Sequence, residues 1–238
     1  MPGCTVTRYP DSTVIKKGRR VTPHERPALE LAAQLNLPVP RVHETQVEAS
    51  PGEHLIRMDF IPGSPLDEIW PTVTTEEKDS ICVQLRNMLT AMRAAPWETG
   101  VIGSCSGGAA RDLRTYTDYT DGPYNDEAAF NESFYLDLLK GTPRLVRSAL
   151  LQQLRDDHRI VFSHGDIVQH NILVENGKVT GLIDWEYAGW YPEHWDYIKF
   201  FDRPCKHRDW RDRADMIFPE TYGRELAWHQ GILRWQRP

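Results

Sequence analysis

Two carboxylates, an amide and an imidazole stand close together in this chain as Asp166, Asp184, Asn171 and His164. Carboxylate and amide oxygens suit a hard divalent cation. Magnesium takes oxygens from one or two carboxylates and completes its octahedron with phosphate oxygens and water. Asn171 and Asp184 can supply such oxygens to a metal carrying a nucleoside triphosphate. Asp166, five residues before Asn171, can accept the proton of an attacking hydroxyl.

The surrounding residues form a frame for this chemistry. Ile160 to Phe162 is a short apolar run, and Ile172 to Val174 is another. Asn176-Gly177 is a strong hairpin signal, because both residues tolerate positive φ. Val179 to Trp185 reads as the returning strand. The stretch 160–187 is therefore strand, polar loop, strand, tight turn, strand. The hairpin brings Asp166, Asn171 and Asp184 toward one point. Taken singly, each of these residues is more often a loop cap or turn residue than a ligand. Together, at this spacing around a hairpin, they point to chemistry.

The order H-x-D-x-x-x-x-N, followed about a dozen residues later by Asp at a strand end, is the phosphoryl-transfer pattern of kinases. Ser163-His164-Gly165-Asp166 with Asn171, then Ile183-Asp184-Trp185-Glu186, resembles the aminoglycoside phosphotransferase and choline kinase-like family. The resemblance implies that Asp166 is the catalytic base, that Asn171 and Asp184 hold Mg2+, and that His164 braces the loop. It also implies that Asp196 holds the loop by hydrogen bonds. A protein kinase is disfavoured by Gly165, where such enzymes carry Arg, and by Trp185-Glu186 in place of Phe-Gly.

The N-terminal residues fit the same resemblance. Thr5 to Tyr9 and Thr13 to Lys17 read as two strands joined at Pro10-Asp11-Ser12. Thr22-Pro23-His24-Glu25 reads as a helix start, with Thr22 as N-cap and Glu25 closing a capping box. The family places a phosphate-contacting lysine on a strand and a glutamate on the following helix. Lys16 matches the lysine, with Lys17 as the alternative, since the two alternate across the strand. Glu25 matches the glutamate, with Glu30 as runner-up. Without the downstream motif, Lys16 is an edge lysine and Glu25 a cap. His54 to Ile61 reads as a strand running into Pro62-Gly63 and resembles the family's hinge. The backbone of Asp59 and Ile61 would there read the adenine edge. The departure lies before Lys16, where a first strand and a glycine-rich loop are expected and a short non-glycine turn stands instead.

Beyond the hinge the pattern becomes helical. Thr74-Thr75-Glu76-Glu77 is a capping-box start, and Ile81, Leu85, Met88, Leu89 and Met92 share one helix face. Gly103 to Gly108 lacks the lysine of a phosphate loop and reads as a surface loop. Asn125 to Lys140 and Pro143 to His158 read as helices. A Gly/Pro-containing turn follows Glu186, then a helix bearing Asp196. Further helices are expected over 207–216 and 222–235.

The 238 residues, 40% hydrophobic, permit one large domain or two lobes. The expected fold class is α+β, a two-lobed protein-kinase-like fold. Residues 1–63 form a small antiparallel-sheet lobe and hinge, and 64–238 a helical lobe with the catalytic hairpin. A net charge of −6 and pI of about 5.8 argue against a nucleic-acid or anionic-membrane partner. No apolar run approaches the ~18 residues of a membrane span. Four scattered cysteines form no zinc spacing and fit a cytoplasmic protein. The leading function is ATP- and Mg2+-dependent transfer of the γ-phosphate to a hydroxyl of a small molecule, with nucleotide and acceptor as the partners. The acceptor class stays open: Asp112, Asp118, Asp121, Glu186, Glu193 and the C-terminal tryptophans suit an aminoglycoside or a choline-like ammonium. The competing reading is a degenerate kinase fold, serving as a binding module or recruited to another small-molecule reaction.

Overall fold

The computed structural model describes residues 4–19, 21–47, 53–113, 118–135 and 139–236. β1 (Cys4–Arg8) and β2 (Thr13–Gly18) form the expected hairpin, and β3 (Val42–Val47) and β4 (His54–Asp59) complete a four-stranded antiparallel sheet in the order β1-β2-β4-β3. Val14 pairs with Met58 and Lys16 with Ile56. Period-two alternation therefore puts these four side chains on one face. Asp11 fixes the β1–β2 turn by accepting from the Thr13 hydroxyl at 2.7 Å. A turn at Ser50-Pro51-Gly52-Glu53, read from its proline and glycine, falls mostly outside the described residues.

α1 (Glu25–Gln34) buries Ala28, Leu29 and Ala32. It differs from the expectation at its start. His24 is the N-cap, with no side-chain cap bond, and Glu25 reaches inward to Lys16 instead of closing a capping box on Thr22. A buried charge-assisted pair outcompetes a surface cap bond. Thr22 accepts from Arg111 at 3.2 Å.

After the sheet come β5 (Ser64–Pro65), the short α2 (Leu66–Ile69) and the long α3 (Thr75–Arg93). In α3 the Thr74–Glu77 capping box is fully formed, and Ile81, Cys82, Leu85, Leu89 and Met92 are buried. The stretch expected to be a surface loop is corrected. β6 (Gly103–Ser104) is buried, and β7 (Ala110–Leu113) pairs antiparallel with β8 (Asp118–Asp121). Gly103 can enter the interior because its missing Cβ leaves room for the Gly108 carbonyl, which a methyl would meet at 2.2 Å.

The two expected helices that follow are shorter than the pattern suggests. α4 (Glu127–Phe130) runs into a π turn over Asn131–Tyr135, and α5 (Arg144–Leu151) buries no residue fully. Leu145, apolar in type, is 73% exposed. Its helix packs against α9 (Gly223–Gln236).

β9 (Ile160–Ser163) leads to the polar loop. β10 (Ile172–Glu175) and β11 (Lys178–Leu182) form the hairpin, turning at Asn176 and Gly177 with φ of 50° and 72°. The expected Gly/Pro turn after Glu186 is instead a strand, β12 (Gly189–Pro192), paired antiparallel with β9. α6 (Trp195–Asp202), α7 (Arg208–Arg211), α8 (Ala214–Ile217) and α9 close the fold. Trp185, Trp190, Trp195, Trp210 and Trp228 are core residues, whereas Trp235 is half-exposed. Tyr191 stacks on Trp195 with centroids 5.1 Å apart. The result is α+β: a small antiparallel sheet with one helix, set on a larger, mainly helical part. Among the described residues no helix is long and apolar enough to cross a membrane.

Candidate active site

A cleft of about 470 Å3 opens between the sheet and the β10–β11 hairpin. Its lining includes Val14, Lys16, Met58, Asn171, Leu173 and Asp184. Lys16 reaches it from the middle of β2. Its ammonium lies 2.9 Å from Glu25 Oε2, 2.6 Å from Asp184 Oδ1 and 3.9 Å from Glu186 Oε2. Burial by itself would lower the Lys16 pKa. The carboxylates of Glu25, Asp184 and Glu186 outweigh that and hold it above its usual range. A permanent positive charge therefore sits at the cleft wall. Lys16, bonded to both Glu25 and Asp184, ties α1 to the segment carrying Asp184. Lys17 and Glu30, the alternatives, do not make this pair; Glu30 binds Arg26 on the surface.

The polar loop is held from below. The Asp196 carboxylate accepts the backbone N–H of His164 at 3.2 Å and of Gly165 at 2.7 Å. His164 is fully buried, and burial lowers its imidazole to a pKa of about 4. It is neutral, and its tautomer follows from its partners. Nδ1 accepts the Asp166 N–H, so the Nε2–H donates to the Ile183 carbonyl. The ring thus spans from the loop to the residue before Asp184. Gly165 takes φ of +79°, and a Cβ there would meet the Tyr187 carbonyl at 2.7 Å. Gly165→Ala should cost about 2–3 kcal/mol through left-handed strain and this clash. A thermal melt should show the midpoint falling by about 5–10 °C, and an unchanged midpoint would refute this.

Asp166 has both oxygens engaged. Arg203 Nε donates to Oδ1 at 2.7 Å, and Asn171 Nδ2 donates to Oδ2 at 3.1 Å. Asn171 therefore turns its amide nitrogen toward Asp166 and keeps its Oδ1 as the atom able to bind a metal. Asp184, 36% exposed and at φ of +66°, gives Oδ1 to Lys16. Two hard oxygen donors beside a cleft fit magnesium better than a softer ion.

The structure thus brings Lys16, Glu25, His164, Asp166, Asn171 and Asp184 to one place. Asp59 and Ile61 line the far end of the same cleft. The Asp59 N–H is taken by the Arg41 carbonyl at 3.0 Å, and its carboxylate meets His43 at 2.7 Å. Of the acidic residues considered for an acceptor pocket, Asp112 binds Lys199 at 2.7 Å and Glu193 binds Arg93 and Arg159. Asp118 and Asp121 are exposed and accept from the hydroxyls of Tyr187 and Tyr124.

Sequence reasoning missed Arg203. Its guanidinium also donates to the Gly165 and Leu113 carbonyls. Arg203 stands seven residues after Asp196, as the C-cap of α6 in extended conformation, and both grip the polar loop. Arg203→Met should lower turnover about 10–100-fold through misplacement of Asp166, with nucleotide affinity unchanged. Arg203→Lys should restore little, because an ammonium cannot reproduce the fork of donors. Full activity in Arg203→Met by steady-state assay would rule this out.

The model of the phosphotransferase enzyme family matches residues 7–236. The chain belongs to that family. It is 26% identical over 204 residues to an aminoglycoside 3'-phosphotransferase of Niallia circulans, covering 83% of this chain and 71% of that protein. A crystal structure of an aminoglycoside-3'-phosphotransferase of type VIII matches 100% of this chain and 95% of its own, with 16% identity and a TM-score of 0.61. The GDP complex of aminoglycoside 2'-phosphotransferase-IIIa matches 99% and 79%, with 14% identity and a TM-score of 0.63. At such identities these structures speak for the fold.

Proposed function

We propose that this protein transfers the γ-phosphate of ATP to a hydroxyl group of a small molecule. The observation that carries the reading is the Lys16 ammonium held between Glu25 and Asp184. Asp166 and Asn171 are bonded to each other on the loop below it. In this reading residues 1–63 are the nucleotide-side lobe and hinge, and 64–238 carry the catalytic loop and the acceptor site. The GDP bound by a fold neighbour supports a purine nucleotide in the cleft.

Lys16 contributes positive charge to the phosphates, and Glu25 keeps it in place. The backbone of Asp59 and Ile61 faces the base. Val14, Met58 and Leu173 supply apolar walls for the ring. Asn171 Oδ1 and the Asp184 carboxylate would hold magnesium, which when bound neutralises charge on the phosphate oxygens. Asp166 orients the acceptor hydroxyl and takes its proton. His164 and Asp196 keep Asp166 at its station, since both bind the loop backbone. Phosphoryl transfer through a loose transition state asks for positioning and charge stabilisation above all, and this constellation provides both.

Isothermal titration of ATP and of GTP, with and without magnesium, tests the nucleotide half. Transfer of labelled γ-phosphate to a panel of aminoglycosides, choline-like amines and neutral polyols tests the other half. No magnesium-dependent nucleotide binding at millimolar concentration would overturn the proposal.

A further inference from the structure

A second concentration of titratable side chains lies outside the cleft. Glu127 opens α4, His158 precedes β9, and His194 stands at the N-cap of α6. One donor atom from each of the three lies within 4.8 Å of the others. The His158 Nδ1 is 2.7 Å from Glu127 Oε1, and the His158 backbone N–H donates to Glu127 Oε2 at 2.8 Å. The two rings meet with centroids 4.5 Å apart.

What marks this group is what its nitrogens lack. His158 Nε2 and His194 Nδ1 are buried without a hydrogen-bond partner. The His158 side chain and the His194 residue are each only 3% exposed. An unsatisfied buried polar atom costs about 1–3 kcal/mol, and here two stand on touching rings. His158 Nε2 faces Glu225 Oε1 at 3.4 Å. Glu225 therefore stands on the opposite side of the ring from Glu127, which is at Nδ1. Two carboxylates around His158 call for positive charge, which a divalent cation can supply in place of a proton. Burial keeps His194 well below its usual pKa, so its lone pair is free of a proton. Arg155, whose charge acts on both rings, is paired with Asp157 at 2.8 Å.

We propose that Glu127, His158 and His194 form a binding site for a divalent transition metal of the zinc class, with water at the remaining position. Imidazole nitrogens select zinc-like ions over magnesium, so the site is chemically distinct from Asn171 and Asp184. Its ligands come from α4, the segment before β9 and the start of α6. An ion there would staple these elements to the strand that leads into His164 and to the helix that carries Asp196. This proposal does not depend on the phosphotransfer reading.

The test uses the full chain, stripped with chelator and titrated with Zn2+ and with Co2+. The parent protein should take up one equivalent of Zn2+ with a rise in melting midpoint, and Asp184→Ala should do the same. Glu127→Gln and His194→Gln should lose both responses. The Co2+ form of the parent should show the intense visible bands of a four-coordinate site with nitrogen ligands, bleached by Zn2+. If the variants do not fold, this spectrum decides alone. Equal uptake in parent and folded variants, or a weak six-coordinate Co2+ spectrum in the parent, overturns the proposal.

Discussion

Replacing Asp166 by Asn should lower turnover by about 10^2–10^4-fold, the range for loss of a positioned general base, while ATP binding stays within about twofold. The argument rests on where Asp166 sits. Its carboxylate is 6% exposed by residue and is gripped from two sides, by Arg203 and Asn171. It is absent from the residues lining the nucleotide-sized cleft, so its loss does not remove a contact to the nucleotide. An asparagine keeps the shape and can still accept from Arg203, but it cannot take the proton of an acceptor hydroxyl. The variant also leaves Arg203 facing a neutral partner, so a modest fall in melting temperature should accompany the kinetic effect. Measuring rate and ATP affinity on the same preparation separates the two. Unchanged transfer by Asp166→Asn would remove this residue from the base role.

Loss of Asp184 should act differently. In Asp184→Ala the affinity for ATP in magnesium should fall to its magnesium-free value. Turnover should drop by about 10^2–10^3-fold, as for removal of a preorganised electrostatic group at the reacting phosphate. In the proposed reaction Asp184 carries two burdens: a carboxylate oxygen for the metal, and the 2.6 Å contact to Lys16 that the structure shows. Lys16 would stay in place after the change, because Glu25 holds it with both oxygens at 2.9–3.0 Å. The φ of +66° at this position is a complication, since Ala tolerates it less well than Asp or Asn. Asp184→Asn is the matching control: it fits the backbone, keeps one oxygen and removes the charge. It should retain the melting temperature and lose most of the magnesium dependence. A metal titration of Asp184→Ala indistinguishable from the parent would sink the metal assignment.

These two substitutions also divide the site by element. Asp166 depends on the loop, with its His164 and Asp196 supports, and Asp184 depends on the hairpin return. Both are fixed by backbone hydrogen bonds. The Ile183 N–H donates to the Asn171 carbonyl at 2.9 Å, so the two ends of the hairpin are joined directly below the cleft.

Much of this could be read from the chain itself. The His164–Asp166–Asn171–Asp184 spacing, the Asn176-Gly177 turn, the Thr74–Glu77 cap and the amphipathic face of α3 are local features. Their physics acts over a few residues, so a linear pattern carries them. Lys16 and Glu25 were recognisable only through the resemblance that the downstream motif carries, since by themselves they read as an edge lysine and a helix cap. Where the outcome depended on distant partners, the pattern misled. Gly103–Ser104 and Gly189–Pro192 carry loop-like residues yet form buried strands, because each finds a strand to pair with. Pairing energy and the close approach that glycine allows override local turn preference. Leu145 has a core residue's chemistry but stays exposed. Arg203 on Asp166, and the His158–His194 contact, join residues far apart in sequence. Only the placing of α6 beside the loop and beside the segment before β9 decides such contacts, because they depend on distance and burial that residue order does not encode.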